Sequence, residues 1–203
     1  MEAGFSRKSR SPIMQLVFFL EEPSAKAMLQ GLLPRLVPVG WDAKYIVFEG
    51  KQDLEKQLPR KLNAWLSPNC QFIVLRDKDH GDCALIRQNL VNICHDSGKQ
   101  DTLVRLAIHE LESWYLGDLI AVEKGLGISK LAKTQASQKF RNPDRLSNPS
   151  EELQKLTKLQ YQKVNGSRAI GPYLSLENNC SISFKKFISG IKNILQKNYE
   201  TEI

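Results

Sequence analysis

The sequence predicts an α/β fold with a largely parallel central sheet flanked by helices. Short apolar runs rich in β-branched and aromatic residues alternate with longer stretches of helical periodicity. A chain of 203 residues is long enough for one such core and a modest appendage. No apolar run approaches the ~20 residues that span a bilayer, and the apolar and charged fractions are those of ordinary globular chains.

The elements follow in order. Ile13–Leu20 reads as a first, buried strand. Arg7, Lys8 and Arg10 before it and Ala25-Lys26-Ala27 after it superficially resemble a secretory signal. The charged Glu21-Glu22-Pro23 argues against cleavage there, and a buried strand explains the same residues. Ser24–Leu36 reads as a helix, with Ser24 as its N-cap and Ala27, Met28, Leu32 and Leu33 on its apolar side. Tyr45–Phe48 is a second strand closed by Gly50. Asp53–Trp65 is helical, with Pro59 starting or kinking part of it. Phe72–Arg76 is a third strand, too short for a helix. Asp82–His95 is a helix whose apolar side is Ala84, Leu85, Leu90, Val91 and Cys94. Leu103–Ile108 is a fourth strand, and Glu110–Leu119 is helical.

The pattern changes after Gly127. Asn142-Pro143 and Asn148-Pro149 mark turns. Residues 151–160 and Ser183–Lys197 read as helices, the latter with an apolar stripe of Phe184, Phe187, Ile188, Ile191 and Leu195 suited to packing on the sheet. The chain divides accordingly into an α/β core, 1–118, and a helical region, 119–203, packing on or extending it. Charge divides at the same place. Residues 1–118 carry 15 Lys/Arg and 15 Asp/Glu, whereas 119–203 carry 14 and 7, so the whole net charge of +7 lies in the second part. Such a bias suits a polyanion-facing surface; lysine-rich helices facing solvent would produce it too.

Cys70, Cys83, Cys94 and Cys180 are widely spaced, with no CxxC pair, as expected in a reducing, cytoplasmic setting. Three scattered histidines, His80, His95 and His109, argue against a zinc site.

The chemistry concentrates at strand ends. Glu21 and Glu22 follow the first strand, Asp77 and Asp79 the third, with Asp82 close behind, and Glu110 and Glu112 the fourth. In a parallel sheet these ends share one edge, where ligands bind. Clustered carboxylates repel one another, and a hard divalent cation relieves that repulsion. Taken singly, the Asp residues also fit a solvated turn and a helix N-cap. Glu110 and Glu112 point the same way only on an extended chain; on a helix they lie about 200° apart. Glu110 also suits a first helical turn. Trp114 and Tyr115 read as core anchors of a short helix, with base stacking as the rival role.

This arrangement resembles the Toprim fold, in which a Glu follows the first strand, an Asp-x-Asp follows the third, and Mg²⁺ lies between them. More narrowly, the chain resembles the DUF4276 family of Toprim-like proteins. The resemblance runs through Leu20-Glu21-Glu22-Pro23-Ser24-Ala25, Arg76-Asp77-Lys78-Asp79 with Asp82-Cys83, Ile108-His109-Glu110-Leu111-Glu112-Ser113-Trp114-Tyr115-Leu116-Gly117-Asp118, Asn142-Pro143-Asp144, Asn148-Pro149 and Ser167-Arg168-Ala169-Ile170. The Glu-Leu-Glu-x-Trp-x-Leu-Gly-Asp segment is its most specific part. The family glycine after the first glutamate is Glu22 here, and its trailing glutamate is Ala25. Glu22 either crowds the metal or replaces the lost carboxylate, and it reaches the metal only if the chain turns at Pro23.

The resemblance implies a Mg²⁺- or Mn²⁺-dependent nuclease. Glu21, Asp77, Asp79 and Glu112 would be its catalytic residues, these four with Glu110 its metal ligands, and Glu22 and Asp82 accessory ligands. It also implies a role in bacterial anti-phage defence beside an SMC- or ABC-type ATPase. Lys163, Arg168, Lys185 and Lys186 are the candidate contacts to DNA or RNA, with Arg168 placed in a loop-like Gly166-Ser167-Arg168 segment. A homo-oligomer stays open. The rival readings are a non-cleaving binding or regulatory subunit and a metal-dependent phosphatase or nucleotide-processing enzyme. The chain itself has no GxxxxGK[ST] phosphate loop.

Overall fold

A computed structural model describes residues 13–200, with side chains to 198. Arg7, Lys8 and Arg10 lie outside the described residues. Four strands form one wholly parallel sheet: β1 Met14–Leu20, β2 Trp41–Val47, β3 Cys70–Asp77 and β4 Leu103–Ala107, in the order β2-β1-β3-β4. This is the α/β architecture the sequence predicts, a parallel central sheet flanked by helices.

The chain leaves β1 toward β2 through α1 (Pro23–Leu32), then recrosses through α2 (Lys51–Asn63) to β3 and steps outward through α3 (Cys83–Asp96) to β4. The direction of winding therefore reverses between β1 and β3. Parallel sheets bind ligands beyond the carboxyl ends of their strands at such a reversal.

Side chains alternate across the sheet, and each face has its own apolar cluster. Val17, Phe19, Phe72, Val74, Val104 and Leu106 pack against Leu54, Leu58 and Leu62 of α2 and Leu90 and Cys94 of α3. Leu16, Phe18, Leu20, Ile73, Leu75 and Ala107 face the other way, onto α1 and the C-terminal elements. Those elements are α4 (Glu112–Leu116), α5 (Leu119–Leu126), α6 (Pro149–Leu156), α7 (Lys163–Ile170) and α8 (Ile182–Glu200). Residues on both sides of position 118 thus share one core. Trp114 is fully buried between Phe184 and Phe187, and its indole N–H donates to Ser183 Oγ at 2.8 Å. Truncating Phe187 to Ala would cost about 3–5 kcal/mol.

Several local expectations change. Glu22, not Ser24, occupies the N-cap of α1, because Pro23 already supplies the first helical residue. Pro59 lies inside α2, which continues through it to Asn63. Leu85 points to solvent from α3 at 66% exposure. Glu110–Leu119 is not one helix: Gly117 ends α4, and Asp118 caps a new helix, α5, accepting from the Ala121 amide at 3.0 Å. Gly166-Ser167-Arg168 is not a loop but the middle of α7. Gly166 is needed there for space: a Cβ would collide with the ring of Tyr161. Trp114 and Tyr115 are fully buried, which removes base stacking as their role.

Candidate metal centre

The register places the acidic residues level with one another. Leu20 pairs with Leu75, so continuing the strands sets Glu21 beside Arg76 and Glu22 beside Asp77. Alternation then separates them by face. Glu22 and Asp77 follow Leu20 and Leu75 onto the α1 face, whereas Glu21 and Arg76 follow Phe19 and Val74 onto the α2 face.

On the α1 face Asp77 is 9% exposed, and among the described residues no hydrogen bond reaches its carboxylate. Burial pushes its pKa well up, and the negative charges of Glu22, Glu112 and Glu21 add to the shift, with Lys163 opposing. Glu112 starts α4 and is fully buried. Tyr161 Oη donates to its Oε1 at 2.8 Å, while Oε2 is buried with no hydrogen-bond partner among the described residues. Burial pushes the Glu112 carboxyl up to about 6, against the pull of Lys163 and the Tyr161 hydroxyl. Lys163, at the start of α7, contacts Glu22 Oε2 at 2.5 Å. Burial works against its charge, but the hydrogen bond and charge of Glu22 outweigh it and hold its pKa above the usual range.

On the α2 face Glu21 Oε2 accepts the Asp77 amide at 3.1 Å. Burial raises the Glu21 pKa; that amide bond and Arg76 pull against it, while Asp79 and Glu22 add to it. Arg76 is buried and bonds Glu55 of α2. Asp79 Oδ2 accepts from Lys51 Nζ at 2.6 Å. Its backbone is left-handed, φ 52°, and its amide donates at 2.7 Å to the carbonyl of His109, which is left-handed too, φ 61°. Asp and His adopt this conformation more readily than most residues. Two such residues bonded to each other at one sheet edge mark a backbone held in place by its surroundings.

Not every predicted acid joins the crevice. Asp82 caps α3, accepting the Ala84 and Leu85 amides at 2.8 and 3.0 Å. Glu110 turns away from Glu112 and accepts the Ser150 amide at 2.7 Å, closing the first turn of α6. Ala25 packs in the apolar core. Glu22 needs no turn at Pro23 to meet Asp77. It stays extended, φ −148° and ψ 161°, because Asp77 lies on its own face. Arg168 is exposed on α7 and donates to Asn165 Oδ1 at 3.0 Å; Lys185 and Lys186 are exposed near the start of α8.

Three participants escaped the sequence reading. Lys51 follows β2 at the same edge and was findable by the strand-end rule. Arg76 looked like the last residue of a strand. Tyr161 precedes a helix that the polar, glycine-containing α7 sequence concealed.

The donor set is entirely hard carboxylate oxygen, which suits Mg²⁺ or Mn²⁺. The buried, unpartnered Glu112 Oε2 and the unbonded Asp77 carboxylate are groups whose charge a cation would satisfy. Lys51 pairs with Asp79 and Lys163 with Glu22, and no three His, Cys, Asp or Glu side chains among the described residues gather closely enough to bind an ion.

A parallel sheet with carboxylates on both sides of its switch-point crevice defines an α/β domain with an acidic strand-end crevice. Within that class the chain belongs to the DUF4276 family, a domain of unknown function, whose family model matches residues 20–192. No curated protein matches it. Among solved structures it is similar to the C-terminal region of the Xanthomonas campestris pv. campestris OLD protein, at 15% identity and TM-score 0.48, covering 91% of this chain and 97% of that one. It is also similar to the C-terminal region of the Burkholderia pseudomallei OLD protein, at 17% identity and TM-score 0.49, covering 89% of this chain and 98% of that one. No helix of the described residues is long and apolar enough to cross a membrane.

Proposed function

We propose that this chain is a divalent-cation-dependent nuclease that hydrolyses phosphodiester bonds in DNA or RNA. The observation that carries the reading is Asp77: a buried carboxylate without a hydrogen bond among the described residues, set at the switch point and facing the charges of Glu22 and Glu112. Structural carboxylates are rarely left so, because burial of an uncompensated charge is costly. Glu22, Asp77 and Glu112 would hold Mg²⁺ or Mn²⁺ from the α1 side, with Glu21 and Asp79 on the other, once Glu22 is released by Lys163 and the carboxylates close on the ion. A bound divalent ion would supply an activated water and neutralise charge on the phosphoryl oxygens.

The chain's own residues have the remaining tasks. Tyr161 fixes the rotamer of Glu112 through its hydroxyl. Glu112, with its carboxyl pushed up to about 6 by burial in the metal-free protein, is a group whose ionised form a cation would stabilise. Lys163 and Lys51 place ammonium groups beside the carboxylates, where they can exchange an acidic partner for a substrate phosphate. Glu110 and Asp82, already committed to helix ends, support the scaffold in this reading. A cytoplasmic role in anti-phage defence beside an SMC- or ABC-type ATPase follows from the family resemblance, and co-purification with such a partner tests it.

The deciding experiment incubates the purified chain with plasmid, single-stranded DNA and total RNA in Mg²⁺, Mn²⁺ or EDTA. Cutting that requires the metal and disappears in Asp77→Asn supports the nuclease. A specific observation favours the rival, non-cleaving subunit: Lys51 and Lys163 already neutralise Asp79 and Glu22 without a metal. That reading predicts no cutting with any divalent ion, with or without an ATPase.

A further inference from the structure

β4 ends the sheet, and no further strand among the described residues covers its outer side. A groove of about 270 Å³ follows that open side, with α3 on one flank and α8 on the other. Its floor is apolar, formed by Val104, Leu106, Ile108 and Ile182, while Arg87, Arg105 and Lys186 bring three cations to its walls. None of the three has an ion-pair partner among the described residues. The one acid in the lining is Asp144, and its carboxylate is occupied. Ser181 Oγ donates to it at 2.7 Å and the Ser183 amide at 2.8 Å.

Arg105 is held rigidly. Its Nε donates to the Lys186 carbonyl at 3.0 Å and its Nη1 to the Val104 carbonyl at 3.0 Å. Burial, and then the charge of Arg87, lower its pKa. Two guanidiniums thus repel each other beside an ammonium, and the single carboxylate of Asp144 leaves the lining with an excess of two positive charges. An anion in the groove would remove that repulsion, and a guanidinium fork matches the oxygens of a phosphate.

We propose that this groove is a phosphate-binding site that seats the sugar-phosphate backbone of a nucleic-acid strand leading to the carboxylate edge. Its direction fits. Two of its lining residues, Cys83 and Ile108, directly follow the Asp79–Asp82 loop and the carboxyl end of β4. The apolar floor can receive the faces of sugars and bases. The identity of the ligand rests on the nuclease reading; the anion site rests on the groove.

The test measures binding of the full chain to fluorescein-labelled single-stranded DNA and RNA by anisotropy, in EDTA, across a salt series. Arg87→Glu and Lys186→Glu change exposed side chains, and Arg105→Lys keeps the charge but removes the fork. Lys133→Glu, outside the groove, controls for net charge. The two charge reversals should weaken binding and flatten the slope of log K against log salt by ~0.7 for each phosphate no longer neutralised, whereas Arg105→Lys should weaken binding with the slope kept. The control should change affinity less and leave the slope close to that of the unmutated chain. Equal effects from Lys133→Glu, or none from the groove variants, would overturn the site. Thermal melts with inorganic phosphate and with a nucleoside monophosphate distinguish the source. Stabilisation that vanishes in Arg87→Glu while strand affinity is unchanged would overturn the strand in favour of a free phosphorylated molecule. Because binding is read in EDTA and cutting in Mg²⁺ or Mn²⁺, groove-dependent binding together with no cutting in either metal sinks the nuclease and keeps the site. Cutting with unaltered binding in the groove variants sinks only the site.

Discussion

On the α1 side of the sheet edge, Glu22, Asp77 and Glu112 face one cation, Lys163. On the α2 side, Glu21, Asp79 and Glu55 face two, Lys51 and Arg76. The first group is the more buried, with Asp77 and Glu112 almost or wholly out of solvent. The second is paired and partly open, with Asp79 and Lys51 both accessible. Residues of one chemical type therefore carry different burdens. The α2 side is close to balanced by the protein itself, and the α1 side holds charge that only a proton or an external cation can compensate.

The sharpest way to break that contrast is to remove its centre. Asp77→Asn should abolish metal-dependent cleavage, a loss beyond the ~10–100-fold typical of residues that merely support a ligand. The same change should raise the melting temperature in EDTA, because it deletes a buried, repelled charge. Asp79→Asn should leave the EDTA melting temperature unchanged or lower it, since it breaks the pair with Lys51. A stabilised Asp79→Asn with an unaffected Asp77→Asn would reverse the assignment of the two sides.

Tyr161→Phe comes next. It strips Glu112 of the hydroxyl that stabilises its charge, at a cost of about 1–3 kcal/mol for an unsatisfied buried group. Phe keeps the ring in place against α7, so differential scanning calorimetry should report the missing hydrogen bond and not a packing defect. The Glu112 pKa should move further up.

Glu112 also sets a pH dependence. Its folded pKa, about 6, lies above the ordinary 4.5, so the native state favours the neutral form. The associated stability is fully present below the unfolded value and is lost as pH rises through the folded one, on the order of 2 kcal/mol. Asp77 shifts in the same direction and adds to the loss. Metal-free protein should therefore melt lower at about pH 8 than at about pH 5, and Mg²⁺ should flatten the difference by compensating the ionised forms. A pH profile unaffected by Mg²⁺ would mean that the cation does not reach these carboxylates.

The smallest effect separates the two lysines. Lys51→Met breaks an accessible pair, worth about 0–1 kcal/mol. Lys163→Met leaves three carboxylates without their cation and should lower the metal-free melting temperature more. It should also raise the stabilisation produced by Mg²⁺. Equal responses in thermal melts would erase the distinction between the sides.

Much of this edge was legible from residue order. Phe72-Ile73-Val74-Leu75 ending in Asp77 and Asp79 is a strand followed by carboxylates, and parallel packing sends all such ends one way. Asp82 before a helical stretch was legible as a cap. Glu110 was not legible as one, because the amide it caps belongs to Ser150, forty residues on in the chain. The helix α7 was hidden because its apolar positions are few and Gly166 resembles a turn residue. Only its packing against Tyr161 and α1 explains a glycine there.

By itself, the sequence determined the alternation of strands and helices, the shared edge of the acidic residues and the basic bias of residues 119–203. Those follow from short-range periodicity and from the single direction of a parallel sheet. Tertiary structure alone decided which carboxylates face each other, that Lys163 and Tyr161 close the site from far along the chain, and that Arg87, Arg105 and Lys186 share one groove. Pairing register and burial fix these relations. Both depend on residues distant in sequence, and both change sign with a shift of one position along a strand.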